Sequence, residues 1–310
     1  MISSSPVQKK RRRGKYKKRK RERKRDMAME DVFQLACNAL VYWGFAGFVH
    51  ELMMPFTSIR PGEAFALRRE YCYPSWPASD PLDDLGEEDR HERHADDVER
   101  YGPGMLPAIR VQWQHQREEG RSGAQLFAPK YESRRTVVLP EFLAELLEML
   151  LLSHDSEWVF LSINGSKLAD ANYTYGYWRT IADGRDERKP NQGRGGCRVT
   201  LPAIPVVPAW KGKRKYLQRH GSKAWLDEDG HSRIAVETRM GHELAGVEGL
   251  YTHLTVEMER LIVRKLQERW LRFVLTLPEG WEPPQSPTSL PVDLSEWMKL
   301  QVKAARAWGL

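Results

Sequence analysis

Arg239-Met-Gly-His242-Glu-Leu-Ala-Gly-Val-Glu-Gly-Leu-Tyr251-Thr-His253 places a histidine nine positions ahead of a tyrosine, between a short apolar-periodic segment and a long helical pattern. Alone, this is a glycine-containing loop that carries a phenol. Three upstream segments change its reading: Thr57-Ser-Ile-Arg60-Pro-Gly-Glu63, Ala128-Pro-Lys130-Tyr-Glu-Ser-Arg-Arg135 and Tyr216-Leu-Gln-Arg219-His220. Attack on a phosphodiester needs a nucleophile, donors for the charge that builds on the non-bridging oxygens, and a proton for the departing oxygen. A guanidinium is a planar fork of donors that stays charged, which suits Arg60 and Arg219 to two phosphate oxygens. A phenol titrates near about 10, so Tyr251 needs proton removal or a cationic setting to attack near neutral pH. His242 can hydrogen-bond a phosphate or manage the tyrosine proton.

The 310 residues are 41% hydrophobic, enough to bury a sizeable core in one or two domains. The net charge of +7 is unevenly spread: residues 9 to 25 carry 14 Lys or Arg against Glu22, a balance of +13, which leaves −6 for the remainder. So dense a run of like charge has almost nothing to bury and is expected to be disordered in isolation. Lys9, Lys10, Arg11, Arg12, Arg13, Lys17, Lys18 and Arg19 suit phosphates, adding salt-sensitive, sequence-independent DNA affinity. A solvated tail, a nuclear-targeting signal or an anionic-lipid contact reads the same way. Cys37, Cys72 and Cys197 are odd in number and lack metal-ligand spacing, which points to a reducing compartment. The most apolar early stretch, residues 39 to 54, includes His50 and Glu51 and is shorter than the roughly 20 residues of a membrane span. The expectation is a cytoplasmic, nucleoid-associated protein with no membrane contact.

Periodicity predicts a first helix capped by Asp31, a second over 48–56, and a third over 62–69 with Pro61 at its first position, holding Arg60 at a helix N-terminus. Residues 74–106, rich in Pro, Asp, Glu and Gly, read as a long surface insertion. Its Asp89-to-Asp97 cluster, with His91 and His94, reads as a solvated charged face rather than a metal site. Ile109, Val111 and Trp113 alternate with Arg110, Gln112 and Gln114, and further strands follow at 125–128 and 135–139. These predict a small three-stranded antiparallel sheet with Lys130 in the turn between its last two strands. Helices are expected at 141–152, 173–181, 216–227, 234–240 and 256–275, with an Arg-, Gly- and Pro-rich loop at 184–208 that lies near DNA in this reading. A Pro-rich linker after Pro278 leads to a last helix at 294–308. The domains are then a tail (1–29), a catalytic unit (30–276) and a linker with the final helix (277–310), in a mainly helical α+β class.

Arg60, Lys130, Arg219, His242 and Tyr251, in this order and in these contexts, resemble the tyrosine recombinase (phage integrase) family over about residues 31–275. The resemblance implies a tyrosine recombinase-like catalytic domain. It implies an enzyme for DNA recombination and integration, of the kind found on mobile elements, that cleaves and rejoins double-stranded DNA through a 3′-phosphotyrosine intermediate. Tyr251 is then the nucleophile, Arg60 and Arg219 the phosphate clamp, Lys130 the general acid for the 5′-hydroxyl, and His242 a phosphate or proton-handling partner. The ester conserves the bond energy of the broken strand, so no ATP or other cofactor is implied, and no metal is implied because arginines neutralise the charge and the tyrosine is its own nucleophile. Active family members are homotetramers on DNA whose last helix commonly docks on a neighbouring protomer; folding back onto its own core is the alternative for 294–308. Two departures stand out. Tyr216 occupies the position three before Arg219 where the family usually has His, and only about 30 residues separate the basic tail from Arg60, leaving no room for the family's N-terminal DNA-clamping domain. The second departure keeps open a truncated, catalytically silent DNA-binding remnant; a type IB topoisomerase ranks behind both.

Overall fold

The computed structural model describes residues 27–79, 87–102, 104–117, 124–168, 170–190, 200–242 and 254–310. The basic tail residues from Lys9 to Arg19, Cys197, Tyr251 and His253 lie outside them. Helix α1 (Met29–Trp43) starts two residues before Asp31, with Ala28 at the N-cap and no capping side chain. It buries Val32, Leu35, Ala36, Ala39, Leu40 and Trp43, a stripe at helical spacing. Gly44, at φ 89°, turns the chain into α2 (Phe45–Thr57). A Cβ on Gly47 would stand 2.7 Å from the Ala39 carbonyl, so glycine is what lets the two helices lie together. α2 is buried on every side, with Phe48, Val49, Leu52, Met53, Met54 and Phe56 all at 0–1% exposure. It is the centre of the molecule.

The left-handed Ser58 (φ 61°) ends α2, Ile59 stays in the core at 0% exposure, and Arg60 follows at its edge. Pro61 opens the next helix as expected, but α3 (Pro61–Ala64) is a single turn rather than a helix over 62–69. The chain beyond it is drawn into extended pairing: Leu67 accepts from the Val159 N–H at 3.2 Å, and the Arg69 N–H donates to Glu157 at 2.8 Å. Tertiary pairing here overrides local helix propensity.

The insertion at 74–106 has more structure than its composition suggests. Helix α4 (Glu87–Arg100) runs through it, Trp76 is fully buried against Tyr101, and the Tyr101 hydroxyl donates to both oxygens of buried Glu259 at 3.0 and 3.1 Å. Those contacts fasten the segment to the body of the protein.

Four short strands follow in place of three. β1 (Ala108–Val111) pairs antiparallel with β4 (Arg135–Val138), and β2 (Gln114–Arg117) with β3 (Ala124–Phe127). Each pair is its own two-stranded sheet. The apolar-polar alternation misreads this stretch: Arg110 and Gln112 are each 2% exposed, and the Arg110 Nε–H donates to Gln112 Oε1 at 3.2 Å. Lys130 does lie between β3 and β4, in a 3-10 turn (Lys130–Glu132). Pro129 and the left-handed Tyr131 (φ 62°) and Glu132 (φ 50°) bend the chain there from one sheet to the other.

α5 (Glu141–Leu152) packs on α2 through Phe142 against Phe56. α6 (Asp170–Tyr173), a π-turn (Thr174–Trp178) and α7 (Arg179–Asp183) form one bent helical rod. α8 (Leu217–Glu228) and α9 (Arg233–Met240) frame the site, with Ser232 capping α9. α10 (Val256–Val274) then runs to a terminal helix, α11 (Leu294–Ala307). α11 folds back on the core of its own chain. Leu294, Trp297 and Met298 are buried, the Trp297 indole donates to Glu145 at 2.9 Å, and Gln301 joins Trp270 of α10 to Glu145. The architecture is thus mainly helical α+β with small antiparallel sheets. Among the described residues no helix is long and apolar enough to cross a membrane.

Candidate active site

Four segments far apart in sequence meet at the C-terminal end of α9. Arg60 is extended at the start of α3, and its main-chain N–H donates to Glu63 Oε2 at 2.7 Å. Its guanidinium makes three contacts: Nη1 to Glu63 Oε1 at 2.6 Å, Nη1 to Ser133 Oγ at 3.1 Å and Nη2 to the Gly241 carbonyl at 3.1 Å. The fork is locked to α3, to the β3–β4 connection and to the turn after α9 at once.

Arg219, on the first turn of α8, is 1% exposed. Nη1 donates to the Ser58 carbonyl, and Nη2 to the Met240 carbonyl and to His242 Nε2 at 3.1 Å. Its Nε is buried without a partner among the described residues. Burial, and then the positive charges of Arg60 and Arg135, bring its pKa down to about 10, which still leaves it charged at neutral pH.

His242 contacts two partners. Its Nδ1 lies 2.6 Å from Glu237 Oε2, while Nε2 faces Arg219. A guanidinium only donates, so Nε2 must accept and Nδ1 carries the hydrogen given to Glu237; the pair of contacts selects one neutral tautomer. Glu237 is itself held by Lys223 Nζ at 2.8 Å. Partial burial raises its carboxyl pKa, but the hydrogen bonds from Lys223 and His242 outweigh that and the net shift is down.

A third guanidinium completes the cluster. Arg135 of β4 holds Glu63 with both ends of its fork, Nη2 to Oε2 at 2.8 Å and Nη1 to Oε1 at 3.2 Å, and gives its Nε–H to the Arg239 carbonyl at 2.9 Å. Arg239 in turn donates to the Phe56 carbonyl at 2.6 Å. Burial alone raises the Glu63 carboxyl, but Arg135 and then Arg60 more than offset it and the net shift is down. Arg60 and Arg135 pair with Glu63 and Arg219 lies beyond it, so these three guanidiniums exceed that carboxylate by two positive charges. That is a setting for an anion, and its donors are fixed in advance by the fold.

Arg60, Arg219 and His242 are therefore brought together. Lys130 is near in backbone only: its carbonyl accepts from Ser133 Oγ at 2.8 Å, which ties its turn to Arg60, while its exposed ammonium lies 4.7 Å from the Tyr131 ring centre. Tyr216 is 41% exposed at the N-cap of α8, edge-on to His220 at 5.2 Å, and donates no hydrogen bond to the cluster. Arg135, Ser133 and Glu237 are site residues that sequence reasoning passed over. A signal existed for two of them: Arg135 closes the quoted hairpin segment, and Glu237 lies five residues before His242, about a turn and a half back along α9.

Behind α8, Glu51 of α2 is wholly buried. It accepts from Gln218 Nε2 at 2.8 Å, from the Tyr173 hydroxyl, and faces His50 Nδ1 at 2.9 Å. The network fastens the residue preceding Arg219 to the central helix. Among the described residues no group of three or more His, Cys, Asp or Glu side chains is arranged to hold a metal ion.

Known proteins add little. No protein-family model matches the chain, and no curated protein matches it in sequence. Among solved structures, the Tn1549 transposon integrase in complex with transposon right end DNA is similar at 16% identity and a TM-score of 0.42, covering 79% of this chain and 67% of that one. The same integrase in complex with a circular intermediate DNA is similar at 17% identity and a TM-score of 0.43, covering 79% and 66%. This chain thus spans about two thirds of the solved chains it is similar to. Likeness at this level says nothing about this chain's chemistry.

Proposed function

We propose that this protein is a DNA strand-exchange enzyme of the tyrosine recombinase type, in which Tyr251 attacks a phosphodiester and becomes joined to the 3′-phosphate. The observation that carries the proposal is the cluster at the end of α9: Arg60 Nη2 rests on the Gly241 carbonyl and Arg219 Nη2 on His242 Nε2, each at 3.1 Å, although Arg60 and His242 are 182 positions apart in the chain. The sequence order of Arg60, Lys130, Arg219, His242 and Tyr251 adds the resemblance described above. Arg60 and Arg219 neutralise the charge that grows on the phosphate oxygens; preorganised donors of this kind contribute about 3 to 4 kcal/mol each. His242 takes the phenolic proton at Nε2 once Arg219 Nη2 turns from that lone pair to the phosphate, and Lys130 delivers a proton to the 5′-oxygen as the strand leaves. The ester is later attacked by a 5′-hydroxyl, so cleavage and religation need no external energy source. Two duplexes held by a homotetramer, the basic tail gripping phosphates and a home at the nucleoid of a mobile element's host complete the reading.

A second reading, a DNA-binding protein without cleavage activity, is favoured by one observation. Arg219 is 1% exposed with both Nη groups donating to main-chain carbonyls, so a phosphate reaches it only if the chain covering it moves. One experiment separates the two. The chain is incubated with a suicide duplex whose cleaved end diffuses away, and protein–DNA adducts that survive denaturant are scored for wild type and Tyr251→Phe. An adduct made by wild type and absent from the variant supports the enzyme. Duplex binding with no adduct supports the second reading, and an adduct that persists in Tyr251→Phe removes Tyr251 as the nucleophile.

A further inference from the structure

The segment Lys211-Gly-Lys213-Arg214, immediately before α8, has a design that the cluster above does not use. All four residues are exposed, and they lie between buried Trp210 and buried Lys215. Their backbone is clamped from below. Trp210 packs edge-on against Trp178 with centroids 5.9 Å apart, and the Trp178 indole donates to the Lys213 carbonyl at 2.9 Å. Arg179 reaches the same carbonyl at 3.3 Å, and the Gly212 N–H donates to Asp183 Oδ1 at 2.7 Å. On the far side, the Lys215 ammonium lies over the Tyr173 ring at 4.7 Å and the Phe65 ring at 5.5 Å. The Leu217 N–H donates to the Arg214 carbonyl at 3.0 Å, so the loop feeds straight into the helix of Arg219.

Held this firmly, the loop presents three cations that form no ion pair and no hydrogen bond to a carboxylate among the described residues. The carboxylate facing the loop from its own support, Asp183, is occupied by the Gly212 N–H and lies 3.6 Å from Arg179. A merely solvated charged loop has no need of two buried tryptophans beneath it. Gly212, at φ 71° with open space where a Cβ would stand, gives the left-handed bend that keeps the two lysines on an outward turn.

We propose that Lys211, Lys213 and Arg214 form a docking surface for the phosphate backbone of double-stranded DNA, contacting the strand beside the phosphate held by Arg60 and Arg219. This rests on the reading of that cluster as a DNA site, and it names the part of the protein that registers the duplex against it. Contacts of this class position without reading sequence.

The test is the salt dependence of full-length protein binding to a short random-sequence duplex, followed by fluorescence anisotropy. Each phosphate contact contributes about 0.9 to the slope of log affinity against log salt. A Lys211→Gln, Lys213→Gln, Arg214→Gln variant is expected to lower the slope by about 2 to 3 for three lost contacts. The control, Arg264→Gln, Lys303→Gln, Arg306→Gln on the exposed faces of α10 and α11, makes the same change in net charge and should leave the slope within about 1 of wild type. Equal losses in both variants, an unchanged slope in the first, or a loss confined to binding of phosphatidylserine vesicles overturns the proposal. Thermal unfolding of each variant confirms that the fold is intact. The slope reads binding and the suicide duplex reads cleavage, so the two ideas fail separately. An adduct with no slope change removes the loop, and a slope change with no adduct removes the catalytic reading.

Discussion

Arg219 and His242, on either side of α9, face each other with a guanidinium Nη2 3.1 Å from an imidazole Nε2. The contact orders the histidine as well as the arginine, since it makes Nε2 an acceptor and leaves Nδ1 to Glu237. Arg219→Lys removes the fork: one ammonium cannot reach the Ser58 carbonyl, the Met240 carbonyl and His242 together. The variant is expected to form the Tyr251 adduct about a hundred- to a thousand-fold more slowly. Single-turnover cleavage measures this; a rate within a few-fold of wild type would take Arg219 out of the chemistry.

Glu237→Gln keeps an oxygen for the His242 Nδ1–H but loses the charge, whereas Glu237→Ala loses both. If Glu237 sets the imidazole tautomer, Gln should retain most of the cleavage rate and Ala should lose about ten-fold or more, in line with one general acid–base partner misplaced. Equal losses in the two variants would assign Glu237 to charge alone.

Glu63 links stability to pH. Its folded pKa lies below the ordinary 4.5, so its stabilisation is complete above that value and is lost as pH falls through the lower folded value. Glu63→Gln leaves Arg60 and Arg135 buried without their counter-charge and should cost about 3 to 5 kcal/mol at neutral pH. Urea unfolding of both proteins at neutral pH and in increasingly acid buffer is the check. The gap between them should narrow below pH 4.5, and a constant gap would refute the pairing as its source.

Gly241 should tolerate no side chain. It is left-handed at φ 65°, and a Cβ there would stand 2.7 Å from Arg135 Nη1. Gly230, at φ 74° with nothing within 4 Å of an added Cβ, carries the conformational cost without the clash. Gly230→Ala is expected to cost about 1 kcal/mol, and Gly241→Ala clearly more, with cleavage lost as His242 shifts. Chemical denaturation of the two variants side by side separates clash from strain.

The terminal helix is expected to stabilise the protomer that carries it. Trp297→Ala removes a 3%-exposed indole and its hydrogen bond to Glu145, at a cost of about 3 to 5 kcal/mol. The loss should be independent of protein concentration in urea titrations, because the helix packs in cis; a concentration-dependent midpoint would indicate exchange between protomers.

The amino-acid sequence by itself determined the helical elements whose apolar spacing is regular and whose ends carry local signals. α5, α8, α9, α10 and α11 lie within a residue or so of their expected bounds, α9 with Ser232 and α11 with Asp293 as caps. It also supplied the residues of the proposed phosphate site, because Arg60, Arg219 and His242 stand in distinctive local contexts. Tertiary structure alone decided the rest. Whether Arg110 faces water depends on what packs over β1, and whether 62–69 is helical depends on an extended segment at 157–159 nearly a hundred residues away, neither of which leaves a mark in local periodicity. The same holds for Arg135. Its role as the third guanidinium follows from Glu63 and Arg239 lying on either side of it, and a cationic cluster with one shared carboxylate exists only once four separated segments have been folded to a common point.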